Sequence, residues 1–233
     1  FLQGTFDGWE AISGQTLTAK YLQKTVACWG CPVSCGRITK VEEKGFEGKG
    51  EGPEYETDFA LGSLCLVDNL AAITKANYIC NDLGMDTITM GATIACAMEL
   101  FEKGYITEKQ AGGPLEWGDA KKLVELVRMT GYREGIGDQL AEGSYRLGER
   151  YGHPELAMVS KRLELPGYDP RGLQAVGLNY ATSPIGASHC RAHMAFCEMM
   201  GIPKTIDPYE WKGKARLVKL WQDVFSLIDS TGL

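Results

Sequence analysis

The sequence predicts a mainly α-helical protein with one short β-hairpin near residues 37–50. Apolar residues recur at helical spacing in several segments that begin beside a capping residue and end at glycine, as amphipathic helices do. Residues 87–104 are apolar on nearly every side, which indicates a helix buried in a core. The run 36–52 first alternates apolar and polar residues and then becomes glycine-rich, so it is the one segment that we assign to strands.

The predicted helices follow one another along the chain, and most are supported by signals at their ends. Proline is a common first helical residue, acids are favoured near a helix N-terminus, and glycine is favoured just after a helix. The predicted helices are 13–23 with Ser13 or Thr16 as cap, 53–66 starting at Pro53, 70–84 capped by Asp68 or Asn69 and closed by Gly84, 87–104, 121–130, 137–151 capped by Asp138, 189–200 and 209–229.

The composition is that of an ordinary globular protein, and its net charge argues against some classes of binding partner. Of 233 residues, 44% are hydrophobic and 23% are charged, so the chain can bury a substantial core. The formal net charge of −6 leaves no basic excess to neutralise phosphates, which argues against nucleic acid and anionic membranes as partners. No apolar run reaches the roughly 20 residues of a membrane span, and the first residues lack a secretion-signal pattern. We therefore expect a cytoplasmic protein.

Three of the eight cysteines are clustered in a way that is typical of a metal site. Cys28, Cys31 and Cys35 let one loop present three thiolates to an iron–sulfur cluster, with the fourth corner left to a distant cysteine. A structural zinc site is the weaker alternative, because zinc sites more often combine separated CxxC pairs. A chain this long does not need disulfides. The remaining cysteines have apolar neighbours and are predicted to be small buried hydrophobes: Cys65, Cys80, Cys96, Cys190 and Cys197.

Six short motifs, in a fixed order, carry a resemblance to a known family. They are ACWGCPVSCG, GPEYET (52–57), CNDLGMDT (80–87), YDPRGL (168–173), ASHCRAH (187–193) and DSTGL (229–233). No single motif is decisive, but the ordered set is specific. The sequence resembles the second and third domains of the aldehyde ferredoxin oxidoreductases. The resemblance implies one helical domain over 1–160, with the cysteine cluster and the first pterin motif. It implies part of a second helical domain over 161–233, with the active-site loop and a truncated second pterin motif.

The resemblance implies two cofactors, a 4Fe-4S cluster and a tungsten or molybdenum bis-pterin. It implies that Cys28, Cys31 and Cys35 bind the cluster, whose fourth ligand in the family is the cysteine that ends a DxxGLC motif. The sequence stops at Leu233, one residue short of that cysteine, so we expect the segment to belong to a longer protein and to be inactive by itself. The positions that match pterin contacts or DxxGL motifs of the family are Asn81, which replaces an Asp, and Asp86, Asp169, Arg191, Asp229 and Leu233.

The resemblance also places four catalytic side chains beside the metal, at Glu56, His189, Tyr55 and Tyr168. A glutamate there can take a proton from attacking water, and a histidine or tyrosine can polarise a carbonyl oxygen. Considered without the family, Glu56 is a first-turn helix acid, Asp86 a helix cap and His189 a structural histidine. His193 could share a helix face with His189, which is a faint sign of a divalent metal, but the glutamate of an HExxH motif is missing.

The implied activity is the oxidation of an aldehyde to its carboxylic acid with oxygen from water. The electrons leave through the cluster to ferredoxin or another iron–sulfur subunit. Two alternatives stay open. One is a subunit of an aromatic acyl-CoA reductase of the same family, and the other is a non-catalytic metal-binding helical module. The expected substrate is a small aldehyde or acyl compound, and a homodimer is expected only by analogy with the family.

Overall fold

The computed structural model describes residues 3–232, which form two compact units that divide between Ala157 and Met158. Leu233, one of the predicted pterin contacts, lies outside the described residues. Both units consist mainly of helices with small antiparallel sheets, so the predicted mainly α fold is confirmed. No helix within residues 3–232 is long and apolar enough to cross a membrane.

The first unit combines an antiparallel sheet with a helical core. Its strands are β1 (Leu22–Val26), β2 (Gly36–Val41) and β3 (Gly48–Glu51), hydrogen-bonded in that order. Its α-helices are α1 (Gly14–Lys20), α2 (Tyr55–Thr57), α3 (Leu70–Leu83), α4 (Thr87–Glu102), α5 (Glu108–Ala111), α6 (Ala120–Tyr132), α7 (Gly137–Leu140) and α8 (Ser144–Arg150). A π-helical turn (Asp58–Gly62) and a 3₁₀ turn (Ser63–Cys65) follow α2 directly, and a second 3₁₀ turn (Pro154–Leu156) follows α8. The predicted hairpin corresponds to β2 and β3 and is confirmed.

Two of the helices predicted in the first unit are wrong in part. The helix predicted over 13–23 ends at Lys20, because the residues after Tyr21 pair with β2 as strand β1. The helix predicted over 137–151 is interrupted at Gly143, whose φ of 86° is incompatible with a right-handed helix. Asp138 is therefore not a cap. It lies in the first turn of α7, where its carboxylate pairs with the Arg133 guanidinium at 2.8 Å.

Helix α4 lies at the centre of the first unit, as its apolar sequence predicts. Ile94, Met98 and Leu100 are fully buried. At Gly91, an added Cβ would lie 2.3 Å from the carbonyl oxygen of Ala60, so only glycine lets α4 contact the π-helical turn this closely. This close approach fixes the position of the segment that begins with α2.

Helix α3 attaches the sheet to this core. Its N-cap is Asn69, whose side chain accepts a hydrogen bond from the amide of Ala72 at 3.0 Å. The Tyr78 hydroxyl lies 2.7 Å from the Thr39 hydroxyl of β2, and the Asn77 amide donates to the β3 carbonyl of Glu51 at 2.9 Å. Because these bonds join buried polar groups, the sheet has a defined position on α3.

The second unit is a smaller helical body. Its strands are β4 (Val159–Ser160) and β5 (Leu163–Glu164), and its helices are α9 (Gln174–Thr182), α10 (Ala195–Glu198) and α11 (Lys214–Thr231), with a 3₁₀ turn at His189–Arg191 before α10. The helix predicted over 189–200 is thus wrong in part: the backbone is extended at Ala192, with φ of −160°, and the 3₁₀ turn and α10 are separate elements.

A buried ion pair holds the three helices of the second unit together. The Glu198 carboxylate accepts hydrogen bonds from the backbone amides of Ala175 and Val176, at 3.0 and 3.2 Å, and from Lys214 Nζ at 2.6 Å. It satisfies amides of the first turn of α9, which would otherwise be buried without partners, and it neutralises the lysine at the start of α11. One side chain of α10 therefore connects α9 with α11.

Candidate functional site

The three clustered cysteines lie on the loop that joins β1 to β2. The loop is closed at its base where Val26 pairs with Gly36, and the amide of Cys31 donates to the carbonyl of Cys28 at 3.0 Å inside it. Cys28 and Cys35 are exposed, Cys31 is partly buried, and none of the three forms a disulfide. An antiparallel strand pair thus carries three thiols on a short loop, and these can supply three of the four thiolates that a 4Fe-4S cluster requires.

Arg37 connects this cysteine loop to the segment that contains Glu56. It lies on β2, two residues after the last clustered cysteine. Its Nη2 pairs with the Glu54 carboxylate at 2.8 Å and donates to the carbonyl of Pro53 at 3.1 Å. The residues just before α2 are therefore held against the strand that leaves the cysteine loop. Nothing in the spacing along the sequence indicated this link.

Glu56 and Tyr55 both lie in α2, but they differ in environment. Glu56 is 9% exposed, whereas Tyr55 is 58% exposed. Partial burial, together with the charge of Glu56, raises the pKa of Tyr55, so its phenol stays protonated and can donate a hydrogen bond at neutral pH. The π-helical turn that follows α2 is a rare conformation that occurs often at functional sites.

The first predicted pterin motif lies beside this segment. The hydroxyls of Thr57 and Thr87, which directly follow Glu56 and Asp86, are 2.9 Å apart. The Asp86 carboxylate accepts a hydrogen bond from the amide of Thr89 at 2.7 Å, so Asp86 caps α4 as expected without the family. Asn81 is exposed in the last turn of α3. The structure thus brings the Glu56 segment and the Asp86 cap together.

Asp58, which the sequence analysis did not single out, is an unusual carboxyl in the same segment. It is the first residue of the π-helical turn, and its Oδ1 is buried without a hydrogen-bond partner among residues 3–232. Burial raises the pKa of Asp58 to about 7, the Arg37 charge opposes this change, and the Glu54 charge adds to it. Asp58 therefore takes up and releases a proton near neutral pH, two residues from Glu56.

We expect Asp58→Asn to stabilise the folded protein at pH 8 and to change little at pH 4. The pKa of this carboxyl is near 3.8 in the unfolded chain and about 7 in the folded protein. Below pH 4 the carboxyl is neutral in both states, so it does not oppose folding. As the pH rises through 7 the buried carboxyl becomes ionised, and the free energy of unfolding is lowered. If Asp58 were fully buried, the substitution would raise the free energy of unfolding at pH 8 by about 4 kcal/mol. Because Asp58 is partly exposed, we expect about half of that. Denaturant unfolding between pH 4 and 8 measures it. The exposed Asp82→Asn is the control, and parallel pH profiles for Asp58→Asn and the unchanged protein would contradict the prediction.

In the second unit, predicted site residues from two distant motifs meet in one aromatic cluster. The Tyr168 ring centroid lies 5.6 Å from that of His189 and 6.3 Å from that of His193, and the two histidine rings are 5.1 Å apart. His193 stacks on Phe196 at 4.4 Å, and burial lowers its pKa, so its imidazole is neutral at pH 7. The two histidines are adjacent although no continuous helix carries them.

Cys190 belongs to the same cluster, and the prediction that it is a buried hydrophobe is wrong. It is exposed, and its Sγ lies 3.4 Å from Nε2 of His189. The 3₁₀ turn directs Cys190 away from the core, which an apolar local sequence does not reveal. The same prediction is confirmed for the others, which are all buried: Cys65, Cys80, Cys96 and Cys197.

Three further predicted residues take part in ion pairs within the second unit. The Arg191 guanidinium pairs with the Asp229 carboxylate of α11, which brings together two of the predicted pterin contacts. Asp169 accepts hydrogen bonds from the amide and the guanidinium of Arg171, and the latter interaction lowers the pKa of Asp169. Asp169 thus stays ionised and shapes its own loop, whereas Arg191 keeps a buried Nε without a hydrogen-bond partner in the described part of the chain.

Comparison with known proteins identifies the family to which the chain is similar. Residues 1–233 match the family described as "Aldehyde ferredoxin oxidoreductase, domains 2 & 3". The tungsten-containing aldehyde ferredoxin oxidoreductase of Pyrococcus furiosus is 46% identical over 224 residues, which cover 95% of this chain and 36% of the relative. The corresponding protein of Thermococcus kodakarensis is 44% identical over 236 residues, which cover 100% of this chain and 38% of the relative. The chain thus spans little more than a third of the length of these two relatives.

A solved structure shows the same fold at low identity. The active-site complex BamBC of benzoyl-coenzyme A reductase, in complex with 1,5-dienoyl-CoA, matches with a TM-score of 0.64 and 21% identity, over 88% of this chain and 32% of that chain. The match over the whole chain, together with relatives above 40% identity, shows that this chain belongs to the aldehyde ferredoxin oxidoreductase family and corresponds to its domains 2 and 3.

Proposed function

We propose that the chain is the helical part of an enzyme that oxidises an aldehyde to a carboxylic acid and passes the electrons to ferredoxin or another iron–sulfur subunit. Per aldehyde, one water supplies the added oxygen, two electrons leave, and three protons are released when the acid ionises. Family membership supports the proposal, as does the similarity to relatives that are tungsten-containing aldehyde ferredoxin oxidoreductases. The structural observation that supports it most is the pair of contacts from Arg37 to Glu54 and Pro53, which connect the cysteine loop to the segment of Glu56.

The donor groups fit the proposed cofactors. Cys28, Cys31 and Cys35 would hold three corners of a 4Fe-4S cluster, because their loop is accessible and its thiols are free of disulfides. We propose that Asn81, Asp86, Asp169, Arg191, Asp229 and Leu233 contribute to binding a tungsten or molybdenum pterin. The unpartnered Nε of Arg191 suits an anionic or carbonyl acceptor on such a group. When bound, the metal and its pterins supply the two-electron redox chemistry, and the cluster supplies one-electron transfer.

The protein side chains would then control the proton and the substrate oxygen. We propose that Glu56 takes a proton from the water that attacks the aldehyde carbon. We propose that His189, with Tyr168 packed beside it, donates a hydrogen bond to the carbonyl oxygen, and that the protonated Tyr55 is a second donor. We also propose a cytoplasmic location, since reduced thiols on an accessible loop persist there.

The decisive experiment is metal analysis and an aldehyde assay on the full-length protein, purified without oxygen. We expect about four irons and one tungsten or molybdenum per chain, and aldehyde-dependent reduction of ferredoxin or a viologen dye. Zinc in place of iron, with no tungsten or molybdenum, would overturn the proposal in favour of a non-catalytic module. Reduction of an aromatic acyl-CoA, without aldehyde oxidation, would instead support the alternative reaction of the same fold.

A further inference from the structure

The side chains of His189, Cys190 and His193 form a compact group of metal-ligand atoms in the second unit. One ligand atom from each residue lies within 4.8 Å of the ligand atoms of the other two. Among residues 3–232, this is the group of His, Cys, Asp or Glu side chains that lie close enough together to bind a single ion. Cys190 Sγ and Nε2 of His189 are already 3.4 Å apart. The cysteine loop of the first unit does not form such a group in the described chain.

The chemistry of this group suits a borderline-soft divalent cation. Two imidazoles and one thiolate are ligand types that Zn²⁺ prefers, with Zn–N of about 2.0–2.1 Å and Zn–S of about 2.3 Å. In a tetrahedral site such bonds require ligand atoms roughly 3.5 Å apart, so the group needs only side-chain movements of about 1 Å. Three protein ligands leave one coordination position open for water or another small ligand.

The surroundings of the group hold it in place and leave an entrance. His193 is stacked on Phe196, and its Nδ1 is buried without a hydrogen-bond partner in the part of the chain that the structure describes, so a cation bound at that nitrogen would satisfy it. Cys190 is exposed, which gives a cation a path from solvent. Arg191 lies between these ligands in sequence, but its charge is matched by Asp229.

We propose that His189, Cys190 and His193 bind one Zn²⁺ ion, and that occupancy of this site inhibits the enzyme. The inhibition rests on the proposed function, because there His189 must offer its ring N–H to the substrate oxygen. Nε2 of His189, the nitrogen beside Cys190 Sγ, would coordinate the ion, and a ring nitrogen that coordinates Zn²⁺ carries no proton to donate. The binding itself depends only on the three side chains and their geometry.

The test is zinc binding to the full-length holoenzyme, followed by X-ray absorption at the zinc edge, which does not detect iron or tungsten. We expect one bound zinc with one sulfur and two nitrogen ligands, at about 2.3 and 2.0–2.1 Å. Cys190→Ser and His193→Gln should each weaken zinc binding by more than the roughly 10- to 100-fold that loss of an outer-shell contact brings. Cys197→Ala, which removes another thiol of the second unit, is the matched control and should bind zinc as the unchanged protein does.

Each other outcome separates the zinc site from the proposed function. Zinc bound by two or more sulfurs, with an affinity that Cys190→Ser leaves unchanged, would place the ion in the cysteine loop and overturn the site. No stoichiometric zinc binding, with aldehyde oxidation intact, would likewise overturn the site and leave the proposed function standing. Zinc binding that depends on Cys190 but does not slow aldehyde oxidation would confirm the ion's ligands and overturn both its inhibitory effect and the role of His189.

Discussion

Cys31→Ser in the full-length protein is expected to abolish the visible iron–sulfur absorbance and to lower the iron content from about four atoms per chain to near zero. Cys31 is the middle thiol of a loop whose ends are fixed by the pairing of β1 with β2, so no other cysteine of the loop can move into its place. A serine hydroxyl stays protonated at neutral pH and is a poor iron ligand, whereas a thiolate is a strong one. Because the neighbouring corners share the same short loop, the loss of one ligand weakens the attachment of the whole cluster.

The matched control for this change is Cys190→Ser. Cys190 is also an exposed thiol, but it lies in the second unit beside His189 and outside the cysteine loop. We expect it to keep the iron content and the absorbance of the unchanged protein. An intact iron–sulfur spectrum in Cys31→Ser would mean that the cluster is bound elsewhere, and a loss in both variants would mean that Cys190 is a ligand.

The sequence predicted the long elements because their signals are local. The caps of α3 and α4, at Asn69 and Asp86, and the apolar surface of α4 each follow from residues within one or two turns. Strand β1 could not be predicted in this way. Residues 22–26 become a strand only because β2, which lies beyond the cysteine loop, supplies the pairing partner.

In the candidate site, too, local features could be predicted and long-range ones could not. The cysteine loop and the positions of Glu56 and His189 were recognisable as short motifs. Long-range contacts could not be recognised from the sequence. Examples are the hydrogen bond from Arg37 to the carbonyl of Pro53 and the packing of His193 near Tyr168. Burial was misjudged at Cys190 because a 3₁₀ turn, not its apolar neighbours, determines its direction. The raised pKa of Asp58 likewise depends on a π-helical turn that no sequence pattern indicated.

Glu56→Gln is expected to lower the turnover of the full-length enzyme by about 10²- to 10⁴-fold, which is the contribution typical of a general base. Glutamine has nearly the same size as glutamate and can still accept a hydrogen bond, so the packing of α2 should survive. It cannot take a proton from water. We therefore expect iron, tungsten or molybdenum and the absorption spectrum to be unchanged while kcat falls. If the residue acts in the chemical step, KM for the aldehyde should change much less than kcat.

Glu54→Gln is the control that tests whether turnover depends on the carboxylate of Glu56 itself or on any carboxylate of this segment. Glu54 lies two residues earlier, its side chain is 63% exposed, and it pairs with Arg37. Exposed ion pairs contribute little, so we expect a change of less than about 10-fold. Equal losses in the two variants would mean that the Arg37 contacts, rather than a base at Glu56, control turnover. Full activity in Glu56→Gln would remove Glu56 from the mechanism and leave Asp58, the other proton-binding carboxyl of this segment, as the residue to replace next.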